Sequence, residues 1–310
     1  MIKEKNMQKL ILYGFVLIFG VLAFAQEKDT LVVATYRYAL NDRIENLKPL
    51  SGYLSKLFQV NVTTKSYQTS RELIKAIHRE EVDIAFINTF GYLLLASDDK
   101  TMEPLATLKV HRKAKDNYKT VLLANKSVEI SDLQSLRGRA EELSIMFVSE
   151  TSTSGNLVPR LILSSIGLNS PESQFKQLFY GQNHANTLEQ LSRGKVDVCA
   201  VGSTEYFKQI ESNPGLRDKI NAIFLSDEIP LGPVLVRKSL SKSFKRKFTR
   251  LLLRLHTKNK KVLEAIKSGW SEAKKTKNFI KIDDSYYDSF RQLNGNEIDL
   301  KLILTKFSKP

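Results

Sequence analysis

The chain has 310 residues, 42% hydrophobic and 26% charged, the balance of a folded chain with room for one large or two medium domains, which excludes a disordered or fibrous protein. Its formal charge of +15 suits small anions, nucleic acid or a membrane surface, but no nucleic-acid-binding module occurs in it. The lone Cys199 excludes an intrachain disulfide, and His78, His111, His184 and His256 are too scattered for a zinc motif, so neither metal nor cofactor is expected.

Residues 1–25 stand apart. Lys3, Lys5 and Lys9 precede an apolar run over residues 10–24, and Ala23-Phe24-Ala25 offers the small residues at which signal peptidase cuts. A secretory signal cleaved before Gln26 is expected, with a periplasmic or otherwise exported mature chain. Residues 31–35 then read as a buried strand, with Tyr36-Arg37-Tyr38 just past its end, where open α/β sheets meet ligands. A helix over 47–57 and a strand over 60–64 follow. Thr69-Ser70-Arg71-Glu72 caps a helix running through Ile77, a strand covers 82–87, and Asn88-Thr89 opens the next helix. The junctions at Ser70 and Asn88 present polar groups to any cleft at that sheet edge.

Residues 73–88 (LIKAIHREEVDIAFIN) echo residues 187–202 (TLEQLSRGKVDVCAVG), with Arg79 matching Arg193 and Val82-Asp83 matching Val196-Asp197. Two lobes built on one helix–strand unit would produce this. Between the echoes lie strands over 105–110 and 118–124, the second carrying the chain into another lobe. A strand over 143–148 runs into Ser149-Glu150-Thr151-Ser152-Thr153-Ser154-Gly155, and a helix containing Pro159 follows and ends at Gly167. Hydroxyls at a strand-to-helix turn fit two readings, an ordinary helix cap and an oxyanion cradle, because the first N–H groups of a helix lack internal partners. Residues 175–180 form the next strand, Gly181 to His184 lead into the second echo, and Thr204-Glu205 follow its strand. The Pro/Gly-punctuated segment 229–236 reads as a second crossover. Apolar residues from Leu240 to Leu255 recur at helical spacing toward the core, and the tail reads as helical.

No Walker loop, dinucleotide fingerprint or Gly-x-Ser-x-Gly elbow occurs. A serine hydrolase built from Ser152 or Ser154 with His184 and Glu205 is the enzyme arrangement the residues permit; nothing marks one hydroxyl as activated, so no enzyme is expected. Taken in order, Ser152-Thr153-Ser154-Gly155 with Leu157-Val158-Pro159, then Gly181-x-x-His184, Val196-Asp197 and Thr204-Glu205, give a sequence that resembles the periplasmic phosphate/phosphite/phosphonate substrate-binding proteins of ABC transporters. The resemblance spans nearly the whole mature chain.

It implies an α/β type II periplasmic-binding-protein fold: two lobes, each a mixed sheet flanked by helices, joined by two crossover strands. Lobe one would be residues 28–118 with 231–310, and lobe two residues 119–230. Ser152, Thr153 and Ser154 would hold the oxygens of a small oxyanion in the cleft, with Gly155 allowing close backbone approach and His184 adding a donor. Glu205 would face an amine-bearing substituent. Gly232 stands where aminoethylphosphonate binders have a second carboxylate and Ser70 where they have a cleft tyrosine, Tyr67 and Tyr38 being the residues that would compensate for it. With Asn88 and Thr89 these residues complete the expected site. The implied partners are the oxyanion and an inner-membrane ABC-transporter permease, the protein being a monomer without nucleic acid. A sensory protein of the same fold feeding a signalling kinase is the alternative.

Overall fold

Residues 30–38, 41–110, 118–292 and 297–308 are described in a computed structural model. The signal reading of residues 1–25 and the cleavage before Gln26 lie outside them, as does His111. In chain order the first half runs β1 (Thr30–Tyr36), α1 (Ile44–Phe58), β2 (Asn61–Tyr67), α2 (Ser70–His78), β3 (Ile84–Phe86), α3 (Thr89–Asp98) and β4 (Met102–Leu108). The middle runs β5 (Thr120–Asn125), α4 (Leu133–Arg139), β6 (Ser144–Phe147), a π-helical turn (Thr153–Leu157), α5 (Val158–Ser165), α6 (Pro171–Gln174), β7 (Gln177–Tyr180), α7 (His184–Ser192), β8 (Val198–Gly202), α8 (Ser203–Ser212) and β9 (Ile220–Leu225). The chain closes with β10 (Val234–Arg237), α9 (Lys242–Lys258), α10 (Lys260–Ser268), β11 (Phe279–Lys281), α11 (Asp288–Arg291) and α12 (Glu297–Ser308).

The strands form two mixed sheets, ordered β11-β4-β10-β3-β1-β2 and β7-β6-β8-β5-β9. In the first, β1 lies parallel between β2 and β3; in the second, β6 lies parallel between β7 and β8. Each parallel trio is extended by one antiparallel strand that arrives from the other sheet, β10 beside β3 and β5 beside β8. The chain thus crosses twice, after β4 and after β9. β5 and β8, flanked by strands and helices, are buried throughout and read as continuous apolar runs.

The sequence echo has a physical basis here. Asp83 Oδ2 accepts the Val32 N–H at 2.9 Å, and Asp197 Oδ2 accepts the Ser144 N–H at 2.8 Å. Each aspartate therefore satisfies a backbone donor on the neighbouring parallel strand, β1 or β6. The preceding helices are alike as well. Thr69 caps α2 and Asn183 caps α7, each accepting a first-turn N–H, and their buried faces, Leu73, Ile74 and Ile77 or Leu188 and Leu191, pack on the sheet.

The tail departs from its helical reading. β11 adds an antiparallel edge strand on β4, pairing Phe279 with Leu108. Three residues are too few to show a period, so this strand is set by the neighbour it meets. Farther on, Phe307 of α12 meets the Phe90 ring edge-on at 5.7 Å and lies under the Arg160 guanidinium at 5.0 Å, while Lys306 bonds Glu172 at 2.6 Å. The last helix consequently touches elements packed on both sheets.

Candidate ligand-binding cleft

The hydroxyl turn follows β6. Val148 N–H donates to the Gly155 carbonyl at 2.9 Å and closes the loop, while Ser152, in extended conformation, caps it by accepting the Gly155 N–H at 3.1 Å. Leu157 N–H then reaches back five residues to the Ser152 carbonyl at 3.0 Å, the wide π turn that precedes α5. Asn156 and Thr120 brace it through the Glu150 and Ser154 carbonyls, at 2.7 and 2.9 Å. Gly155 is required by the core: a Cβ there would stand 2.3 Å from Val148 Cγ2.

Ser154 is fully buried, and its hydroxyl has no hydrogen-bond partner. The Tyr118 phenol is near enough to sense it, yet no hydrogen bond of normal geometry joins the two. His184 converges on the same spot. A Cβ on Gly202 would meet Ser154 Oγ at 3.0 Å and His184 Nε2 at 3.5 Å, so the glycine lets both side chains come close to its backbone; Ser154 itself lies behind the cavity lining formed by Ser152 and Thr153. His184 Nδ1 accepts the Gly202 N–H at 3.1 Å, which assigns the ring proton to Nε2 as a donor. By area His184 is only partly covered, but it sits deep enough that desolvation lowers its pKa to about 4, and the ring is neutral at neutral pH.

The turn and His184 form one wall of a cavity of about 180 Å³ between the two sheets. Tyr38, Ser70, Asn88, Ser152, Thr153 and His184 all line it. Its walls are bonded to each other: Tyr38 Oη accepts the His184 N–H at 3.0 Å, Asn88 Nδ2 donates to the Thr151 carbonyl at 2.9 Å, and Phe90 N–H donates to Thr153 Oγ1 at 3.0 Å. Burial raises the Tyr38 pKa, so it remains a neutral phenol.

Other expected residues stand elsewhere. Thr89 Oγ1 donates to the Pro230 carbonyl at 2.6 Å, at the second crossover. The Tyr67 hydroxyl reaches toward Glu81 at 3.5 Å, outside the cavity. Glu205 accepts from Gln209 at 2.7 Å and borders an adjoining groove, with Thr204 and Tyr118 shared between the two spaces. With His184 Nδ1 turned to Gly202 and Glu205 to Gln209, the hydrolase wiring is not assembled. A Cβ at Gly232 would lie 1.9 Å from the Ile87 carbonyl oxygen, so the close approach of the crossover to β3 demands glycine.

The sequence reading missed two charged cavity residues, Arg43 and Glu272. Arg43 is 4% exposed, its Nε donating to the Gly269 carbonyl at 2.8 Å. In sequence it belongs to the polar run Asn41-Asp42-Arg43, which carries no sign of burial. It is covered by the Tyr36 ring and by Trp270, which arrives from far along the chain, each 4.7 Å from ring centroid to guanidinium carbon.

A family model described as ABC transporter, phosphonate, periplasmic substrate-binding protein matches residues 38–287. The chain is similar to a probable ABC transporter phosphite binding protein of Prochlorococcus marinus (strain MIT 9301), at 20% identity over 248 residues, or 72% of this chain and 81% of that protein. It is also similar to the phosphonates-binding periplasmic protein of Escherichia coli K12, at 24% identity over 225 residues, 72% of this chain and 65% of that one. In fold it resembles PhnD1 from Prochlorococcus marinus, solved in complex with methylphosphonate, with a TM-score of 0.69 at 18% identity over 88% of this chain and 99% of that one. The family match runs through both crossovers and well over half of the sequence, and the chain therefore belongs to the phosphonate-type periplasmic substrate-binding proteins of ABC transporters.

Proposed function

We propose that the protein captures a small phosphoryl oxyanion, a phosphonate, phosphite or phosphate, in this cleft, and that closure around it presents a recognisable form to an inner-membrane permease. The chain acts after export and signal cleavage near Ala25, as a monomer, by binding without turnover. Residues 28–118 with 231–310 move as one lobe and 119–230 as the other. Ser152, Thr153 and Ser154 hold the phosphoryl oxygens at the N-terminal end of a helix, where N–H groups and the macrodipole favour negative charge. His184 donates from Nε2.

The observation that carries this reading is the Ser154 hydroxyl, fully buried and without an acceptor, packed beside the same glycine as the distal nitrogen of a neutral histidine that lines the cavity. Each such donor left unpaired by a wrong ligand costs about 1–3 kcal/mol, which gives the cleft its selectivity. A thermal-shift series on the mature chain with phosphite, phosphate, methylphosphonate and sulfate tests it. At a hundredfold excess over Kd a true ligand stabilises by about 2.7 kcal/mol. Absence of a shift with all three phosphorus oxyanions overturns the proposal.

A further inference from the structure

We infer that the ligand carries a carboxylate at the end away from its phosphoryl group and that Arg43 receives it, a reading that rests on the proposed capture of a phosphorus oxyanion. Donors without acceptors lie in two places around the cleft. On the side of the second sheet this is the Ser154 hydroxyl, next in the chain to the cavity-lining Ser152 and Thr153; on the side of the first it is Arg43 Nη1 together with the Ser70 hydroxyl, all three covered and without a hydrogen-bond partner. Arg43 and Ser70 both line the cavity. A ligand with one anionic end answers only one side.

The Arg43 guanidinium is held in place from several directions. Its Nε is fixed on the Gly269 carbonyl, and its central carbon lies 4.7 Å from the Tyr36 and Trp270 ring centroids and 5.4 Å from that of Tyr38. Contact with these rings offsets part of the cost of burying the cation. It does not replace an anionic partner, and among the described residues no carboxylate oxygen comes within 4.0 Å of it. Arg37, the other cavity arginine, is different: it is paired with Asp42 at 2.9 Å. A planar fork bonded at one nitrogen and buried without a partner at another is matched by the geometry of a carboxylate. Glu272, the one acidic residue lining the cavity, stands on the same side as Arg43 but accepts from the Ser271 hydroxyl at 3.2 Å and makes no ion pair with the guanidinium.

The test compares methylphosphonate with phosphonoacetate by isothermal titration of the mature protein and of Arg43→Met. A charge-assisted hydrogen bond from a buried guanidinium predicts that the wild type prefers phosphonoacetate by at least about tenfold. In Arg43→Met that preference falls to about one, while methylphosphonate affinity stays within about threefold of wild type. Equal losses for both ligands would place Arg43 on the shared phosphoryl group or in the framework and overturn the inference. So would a wild type that binds methylphosphonate without preferring phosphonoacetate, a result that leaves the phosphoryl reading intact. If neither ligand binds, both fall together. Should Arg43→Met fail to fold, the wild-type preference and its reduction in Ser70→Ala decide the matter, since an unchanged preference in Ser70→Ala refutes the two-donor wall.

Discussion

Replacing Ser154 by alanine removes a buried hydroxyl that has no partner within the protein, and this separates stability from binding. The Ser154 carbonyl keeps its bond from Thr120 Oγ1, and the turn keeps its Ser152 cap, so the backbone has no reason to move. Burying an unpaired hydroxyl costs about 1–3 kcal/mol, and alanine avoids that cost, so the unfolding free energy of Ser154→Ala without ligand should equal or exceed that of wild type. Binding should respond in the opposite direction. A hydrogen bond to a charged oxygen contributes about 1.5–3 kcal/mol, which weakens Kd by roughly 10- to 150-fold. At a methylphosphonate concentration that gives wild type about 2.7 kcal/mol, a variant with a hundredfold higher Kd gains only about 0.4 kcal/mol. Urea unfolding of both proteins with and without methylphosphonate measures all four quantities. The reasoning is refuted if Ser154→Ala is destabilised by more than about 1 kcal/mol or retains the full ligand-induced gain.

His184 should make the protein acid-sensitive. In the unfolded chain it takes a proton near 6.5 and in the folded chain only near 4, so stability present above 6.5 is lost as pH falls through that window. Between about pH 7.5 and about pH 5 this amounts to at most about 2 kcal/mol, an upper bound because part of the ring surface stays open to water. His184→Asn, compared with wild type by urea unfolding at both pH values, should lack that part of the loss; identical pH dependence would remove His184 as its source. Placing a carboxylate at position 232 should not create an amine site. Gly232→Asp drives a Cβ to 1.9 Å from the Ile87 carbonyl oxygen and 2.6 Å from Asn88 Cα, both backbone atoms that cannot turn away. A loss of at least about 3 kcal/mol is expected. A variant with the wild-type melting midpoint would show that the crossover gives way.

Much of the site was legible because its parts are local. The turn at Ser152 to Gly155 lies between an apolar run and a helix, and the Thr69, Asn88 and Asn183 caps occupy positions where a side-chain oxygen meets first-turn N–H groups. Gly202 is in sequence only the last residue of the second echo, although its lack of a side chain is what lets Ser154 and His184 pack close to its backbone. Arg43 was illegible, since its partner carbonyl, Gly269, is 226 positions away and nothing near residue 43 indicates burial. Glu205 illustrates the converse. It follows the right strand, but the first turn of α8 aims it at Gln209 and the neighbouring groove.

By itself the sequence determined most of the succession of strands and helices as far as β10, the repeated unit with its paired aspartates Asp83 and Asp197, and the hydroxyl-rich strand-to-helix turn, because periodicity, capping and strand-end chemistry act within one or two turns of chain. Tertiary structure alone decided which residues share a cavity, why Gly155 and Gly232 are glycines, and that a buried arginine lines the same cavity as the hydroxyl turn. Those features arise where β10 and β5 cross between sheets and bring Gly232 against Ile87 and Tyr38 against His184. Contacts between segments so distant in sequence leave no periodic trace in either one.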